Sequence, residues 1–173
     1  MDKKKKITTA LFADMSGFTK FSEKNNVETV QEFLEQLYGM SNRVAKNHNG
    51  TFTEITGDEV SFHFDNPRDA LIAAKDLQSQ LKDILEKHSL NVRMGIHTGE
   101  AIFWHVEISN ILFPYVTGDV QIIATRLEKN ATKGKIAISK ETSLLINTPE
   151  LNEIKDKKSI SQGFSHSIEY IEI

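Results

Sequence analysis

Ile7-Thr8-Thr9-Ala10-Leu11-Phe12-Ala13-Asp14-Met15-Ser16-Gly17-Phe18-Thr19 is the stretch that sets the architecture. Its apolar and β-branched opening predicts a strand over residues 7–13 that ends at a carboxylate, Asp14. Ser16-Gly17 then turns the chain into a helix. Further along, Val27, Val30, Leu34, Leu37 and Val44 fall on one helix face, and Asn49-Gly50 ends that helix. Residues 51–56 and 60–64 read as strands about a Gly57-Asp58 hairpin turn. Asn66-Pro67 opens a second helix, with Asn as cap and Pro in the first turn. Its buried stripe is Ala70, Leu71, Ala74, Leu77, Leu81 and Leu85. Residues 91–98 and 101–108 read as two strands joined at Gly99-Glu100. A helix over 119–130, a strand over 135–138, a short helix and a terminal strand over 167–173 complete the chain. Strand–helix–strand–strand–helix–strand order predicts an α+β, ferredoxin-like sandwich, an antiparallel-rich sheet with helices on one face.

The length of 173 residues suits one domain, expected over residues 7–173 behind a solvated basic tail at residues 1–6. The chain has no cysteine, which excludes a disulfide scaffold, a thiolate metal site and a thiol nucleophile. With 21 basic and 24 acidic residues there is no overall positive footprint, so nucleic acid is not an expected partner. The longest apolar run, Ile111-Leu112-Phe113-Pro114-Tyr115-Val116, is far short of the ~20 residues that span a bilayer. No apolar stretch follows the charged start, so no signal peptide is expected and a soluble, cytoplasmic protein is.

Three places can carry chemistry. At the first, Asp14 precedes a turn whose backbone N–H groups, at Ser16, Gly17, Phe18 and Thr19, can bind phosphate oxygens. Alone, Asp14 reads more readily as a helix cap. Asp58 at the hairpin tip is the second, and alone it reads as an ordinary turn residue. If both belong to one sheet edge, two hard carboxylates beside a phosphate-binding turn suit a pair of divalent cations. The third is the helix carrying Asp119, Ile122 and Arg126 opposite its core stripe of Val120, Ile123, Ala124 and Leu127. Ile122 stands out there as an apolar side chain on a polar face.

The segments Phe12-Ala13-Asp14-Met15-Ser16-Gly17-Phe18-Thr19, Thr56-Gly57-Asp58, Arg93-Met94-Gly95-Ile96-His97-Thr98-Gly99-Glu100 and Gly118-Asp119…Ala124-Thr125-Arg126-Leu127 resemble, in order and spacing, the class III nucleotidyl (adenylate/guanylate) cyclases. The resemblance implies a head-to-tail homodimer with active sites at the interface, acting on a nucleoside triphosphate (NTP). One protomer would hold two metal ions, Mn2+ or Mg2+, through Asp14, Asp58 and the Met15 backbone. Ser16–Thr19 would grip the triphosphate. Arg126 of the other protomer would be the catalytic arginine that stabilises the transition state.

The sequence departs from the family pattern at several positions. Ile122 stands where the family orients the ribose with asparagine, and Gln162 where a triphosphate lysine precedes the last hairpin glycine. Glu54 and Tyr115 occupy the base-recognition positions. A carboxylate acceptor in a pocket narrowed by tyrosine suggests a pyrimidine base, as in the bacterial uridylate and cytidylate cyclases of anti-phage defence. That implies a cUMP or cCMP product, a separate cyclic-nucleotide effector and a role in antiviral signalling. A guanylate or adenylate cyclase is the alternative substrate reading. A degenerate cyclase-homology domain that binds NTP or only dimerises is the non-enzyme alternative. Thr56-Gly57-Asp58-Glu59-Val60 also looks like a loosened diguanylate cyclase signature, against which the Ile96–Glu100 and Ala124–Leu127 segments count.

Overall fold

The opening run forms strand β1 (Lys4–Ser16) in the computed structural model, which describes residues 3–161 and 163–173. Helices α1 (Phe18–Lys24) and α2 (Val27–Asn47) follow, then strands β2 (Gly50–Thr56) and β3 (Glu59–Phe64). Helix α3 (Pro67–His88) leads to strands β4 (Asn91–Ile108) and β5 (Ile111–Thr117). The remainder is α4 (Asp119–Asn130), β6 (Ile136–Ser139), α5 (Lys140–Ile146), α6 (Pro149–Asn152), β7 (Lys158–Ile160) and β8 (Ile168–Glu172). One sheet runs β2-β3-β1-β4-β6-β8-β7, with β5 paired to the outer half of β4. The order β2-β3-β1-β4 is the ferredoxin-like arrangement, and the α+β class stands. Side chains of Asn26 and Asn66 accept from the N–H groups of Thr29 and Arg68, which fixes where α2 and α3 begin.

β1 is buried without a break from Thr8 to Ala13. Because strand side chains alternate, that requires cover on both faces. Leu11, Ala13 and Met15 join Phe33, Leu37, Leu77 and Leu81 beneath α2 and α3. Ala10 and Phe12 pack instead with Val120 and Ala124 of α4. The expectation of helices on one face alone is therefore corrected: α4 covers the other.

Three further readings change. Gly99-Glu100 is no turn; β4 runs straight through it, with Gly99 opposite Thr8. Val120 of α4 packs over this glycine, its Cβ 3.4 Å from where a Cβ at residue 99 would stand. The apolar run at residues 111–116 lies in β5, joined to β4 by Ser109-Asn110 with φ of 51° and 63°, the signature of a type I′ turn. Of the basic tail, Lys4–Lys6 are strand residues paired with Phe103–Ala101. Lys6 Nζ sits 4.6 Å from the Phe103 ring centroid and bonds Asp65. Among the described residues, no helix is long and apolar enough to cross a membrane.

α4 lies very close to β4 at Gly95. A Cβ there would stand 2.1 Å from the Ala124 carbonyl oxygen and 2.3 Å from the Glu128 nitrogen, both backbone atoms. Gly95→Ala is expected to lower unfolding stability by at least about 2 kcal/mol, because the helix must move off the sheet. Chemical denaturation checks this; an unchanged midpoint would mean that α4 is not seated as described.

Candidate active site

β3 pairs with β1 only as far as Ala13–Val60, so Asp14 lies just past the last paired position, at the end where the Gly57-Asp58 turn closes the hairpin. Gly57 takes the left-handed conformation (φ 62°) that this turn needs. The backbone N–H groups of Asp58 itself and of Met15 favour the charged Asp58 carboxylate, which places the hairpin tip beside the end of β1. Tyr38 of α2 donates its hydroxyl to the Gly57 carbonyl at 2.7 Å and holds the tip from the other side. Burial, and after it the Asp14 charge, push Asp58 up to about 6. A strand residue directs its N–H and C=O to the same side, so the Met15 carbonyl shares this edge. The structure thus brings Asp14, Met15 and Asp58 together.

Two carboxylates and a carbonyl are hard oxygen donors, and the Asp14 charge helps to raise Asp58. A divalent cation would relieve that repulsion, so this donor set fits a hard divalent cation. Arg93, across β4 from Asp14, donates to its Oδ2 at 2.7 Å. The same guanidinium nitrogen lies 3.2 Å from Oε1 of Glu128, a fully buried residue of α4. Burial pushes Glu128 up to about 8, the Asp14 charge adds to this, and Arg93 opposes it. Glu59, next to the tip, is also raised by burial, with Lys129 opposing and Asp14 and Glu54 adding.

Gly17, at φ 102°, caps α1, and among the described residues no side-chain cap bonds the first-turn N–H groups. Those of Phe18 and Thr19 are open to a ligand. Glu54 and Tyr115 line one groove of about 440 Å³ between β2 and the β4–β5 arm. The exposed side chains of Ile122 and Arg126 line a cleft with Glu54, Glu59 and Lys129. A Cβ on Gly163 would stand 3.8 Å from the Arg126 guanidinium, so the last hairpin borders this cleft. Gln162 lies outside the described residues. Arg93, Glu128 and Tyr38 were not assigned roles from sequence. For Glu128 a signal existed: it falls four residues after Ala124, on the stripe that faces the sheet.

Residues 1–170 match the adenylate and guanylate cyclase catalytic domain. The chain belongs to that family, the class III nucleotidyl cyclases. It is 29% identical to adenylate cyclase 1 of Rhizobium meliloti over 133 residues, 69% of this chain and 20% of that protein. It is 26% identical to an adenylate cyclase of Mycobacterium tuberculosis over 143 residues, 77% of this chain and 32% of that one. The chain thus spans a third or less of the length of these two relatives. In fold it resembles the guanylyl cyclase Cya2, with a TM-score of 0.90 at 23% identity, covering 99% of this chain and 93% of that one. The adenylyl cyclase CyaB from P. aeruginosa follows at 0.85 and 23%, covering 99% and 95%. Class III cyclases use divalent metals, in keeping with the oxygen donors at Asp14 and Asp58.

Because the folded state raises Asp58, its charge weakens the metal-free fold above about pH 6, and that cost fades as pH falls toward 4. Asp58→Asn is therefore expected to raise Tm at neutral pH by on the order of a few degrees, with the gain shrinking at low pH. Thermal melts in chelator at both pH values check this; a lower Tm for the variant at neutral pH would contradict it.

Proposed function

We propose that this domain converts a nucleoside triphosphate to a 3′,5′-cyclic nucleotide and pyrophosphate at the interface of a homodimer. The observation that carries the reading is the convergence of Asp14 and Asp58 beside an uncapped Ser16–Thr19 turn. Asp14, Asp58 and the Met15 carbonyl hold two divalent cations, Mn2+ or Mg2+. Those ions supply charge neutralisation along the triphosphate. Backbone N–H groups from Ser16 to Thr19 bind the triphosphate oxygens. The ribose 3′-oxygen forms a bond to the α-phosphorus as the bond to the β-phosphate oxygen breaks, in line. Arg126 of the partner subunit balances the charge that builds on the α-phosphoryl oxygens. Positioning and electrostatics supply most of the acceleration.

Glu54 and Tyr115 facing one groove support a pyrimidine base, UTP or CTP, because a carboxylate accepts from uracil N3–H or the cytosine amine while the tyrosine limits the space. The relatives named above are adenylate and guanylate cyclases, and a purine product is the competing outcome. The antiviral role and the separate effector rest on the resemblance to bacterial pyrimidine cyclases alone. Ile122 favours a slower enzyme, since one missing polar contact to the sugar can cost ~10²-fold.

Incubation with Mn2+ and each of four NTPs is expected to give cUMP or cCMP as the main product; cGMP or cAMP as the main product would overturn the base assignment. Asp58→Ala and Arg126→Ala are each expected to be inactive as homodimers. Mixed and re-equilibrated, they should recover about a quarter of wild-type turnover, since about half of the dimers then hold one intact site of two. No recovery from folded, exchanging dimers would contradict shared sites, and no cyclic product from wild type would favour the degenerate domain.

A further inference from the structure

Among the described residues, both Glu128 carboxylate oxygens are buried without a hydrogen-bond partner, and the residue is 0% exposed. A carboxylate in that position is costly unless a charge answers it. The answering charge is Arg93, at 3.2 Å. Arg93 also donates through its second terminal nitrogen to the Lys129 carbonyl at 3.2 Å, so α4 holds two sides of the guanidinium. Asp14 receives one bond, at 2.7 Å to Oδ2, while Arg93 Nε has no partner. This geometry is unlike the two-bond fork that arginine forms with a carboxylate when nothing competes. Such a fork would occupy both Asp14 oxygens. Gly95, two residues along β4, is what lets the α4 backbone approach so closely.

The geometry points to Glu128 as a positioning residue that limits the Arg93 guanidinium to a single bond with Asp14, leaving that carboxylate an oxygen and a net negative charge for a divalent cation. This rests on the proposed role of Asp14 and Asp58 as cation ligands. With Glu128 ionised, the four groups Asp14, Asp58, Glu128 and Arg93 sum to −2; without its charge they sum to −1, and the guanidinium is free to neutralise Asp14. Glu128 never touches the cation itself. Its position on the same helix as Arg126 also ties α4, the helix proposed to serve the partner's active site, to a carboxylate of this protomer's own site.

The test is binding of Mn2+ alone to the full chain, read from the loss of the free-ion EPR signal, at about pH 8.5, above the value of about 8 to which burial raises Glu128. Glu128→Gln keeps the shape and removes the charge. It is expected to weaken Mn2+ binding roughly five- to tenfold. The double variant Arg93→Gln/Glu128→Gln removes the competing guanidinium as well and is expected to bind at least as tightly as wild type. It leaves no unpaired buried charge, so it decides the matter if Glu128→Gln alone does not fold. Unchanged affinity in Glu128→Gln overturns the inference. Weak binding that persists in the double variant overturns it too, since a purely structural carboxylate would not be rescued by losing its partner. Wild type that binds no Mn2+ would instead remove the cation site on which both readings stand.

Discussion

Ala13 pairs with Val60 on one side of β1 and with Met94 on the other, and this register fixes the positions of the groups that follow. It sends Leu11, Ala13 and Met15 toward α2 and α3, and Ala10 and Phe12 toward α4. It also sets Asp14 opposite Arg93 and one step past the end of the β3 pairing, against the Gly57-Asp58 tip. A slip of one residue would exchange the two faces, bury Asp14 among Phe21 and Phe33, and separate it from Asp58. Burial on both faces of β1 is therefore what makes the carboxylate geometry unique.

That geometry is held under electrostatic tension. Desolvation and mutual repulsion raise Asp58, and Glu59 and Glu128 are raised nearby. Among these groups Arg93 is the cation bonded to Asp14, and it is shared with Glu128. The metal-free fold tolerates this because the surrounding elements leave the side chains little choice. The Tyr38 hydroxyl fixes the hairpin tip, and the contact at Gly95 fixes α4. Sites that carry such uncompensated charge are where binding energy is stored for a ligand of the opposite sign.

Much of this was legible in the sequence. The apolar run of β1, the Asn66 cap of α3 and the Gly57-Asp58 turn each use local chemistry, and each element formed there, although β1 runs on to Ser16 and is covered on both faces. What was missed depends on partners distant in sequence. Gly99 looks like a turn residue, but β4 runs through it opposite Thr8 with Val120 of α4 packed over it, and only the tertiary pairing reveals this. The Ser109-Asn110 turn lacks the usual glycine, so β5 was not read as a strand. Lys4–Lys6 looked like a tail because charge says nothing of the strand partner that β4 supplies. At the site, Asp14 and Asp58 were each ambiguous alone, and their proximity follows from register. The pairing of Arg93 with Glu128 was beyond local reading, since it lies in a contact between a strand and a helix.

The central claim is that Asp14 and Asp58 clasp divalent cations between them. The most direct measurement is anomalous scattering at the manganese edge from crystals grown with Mn2+ and a non-hydrolysable NTP. The account predicts two manganese peaks bridged by these carboxylates, at coordination distances of about 2 Å, with the triphosphate on their far side. Peaks bound by only one of the two carboxylates, or lying at another surface, would contradict it.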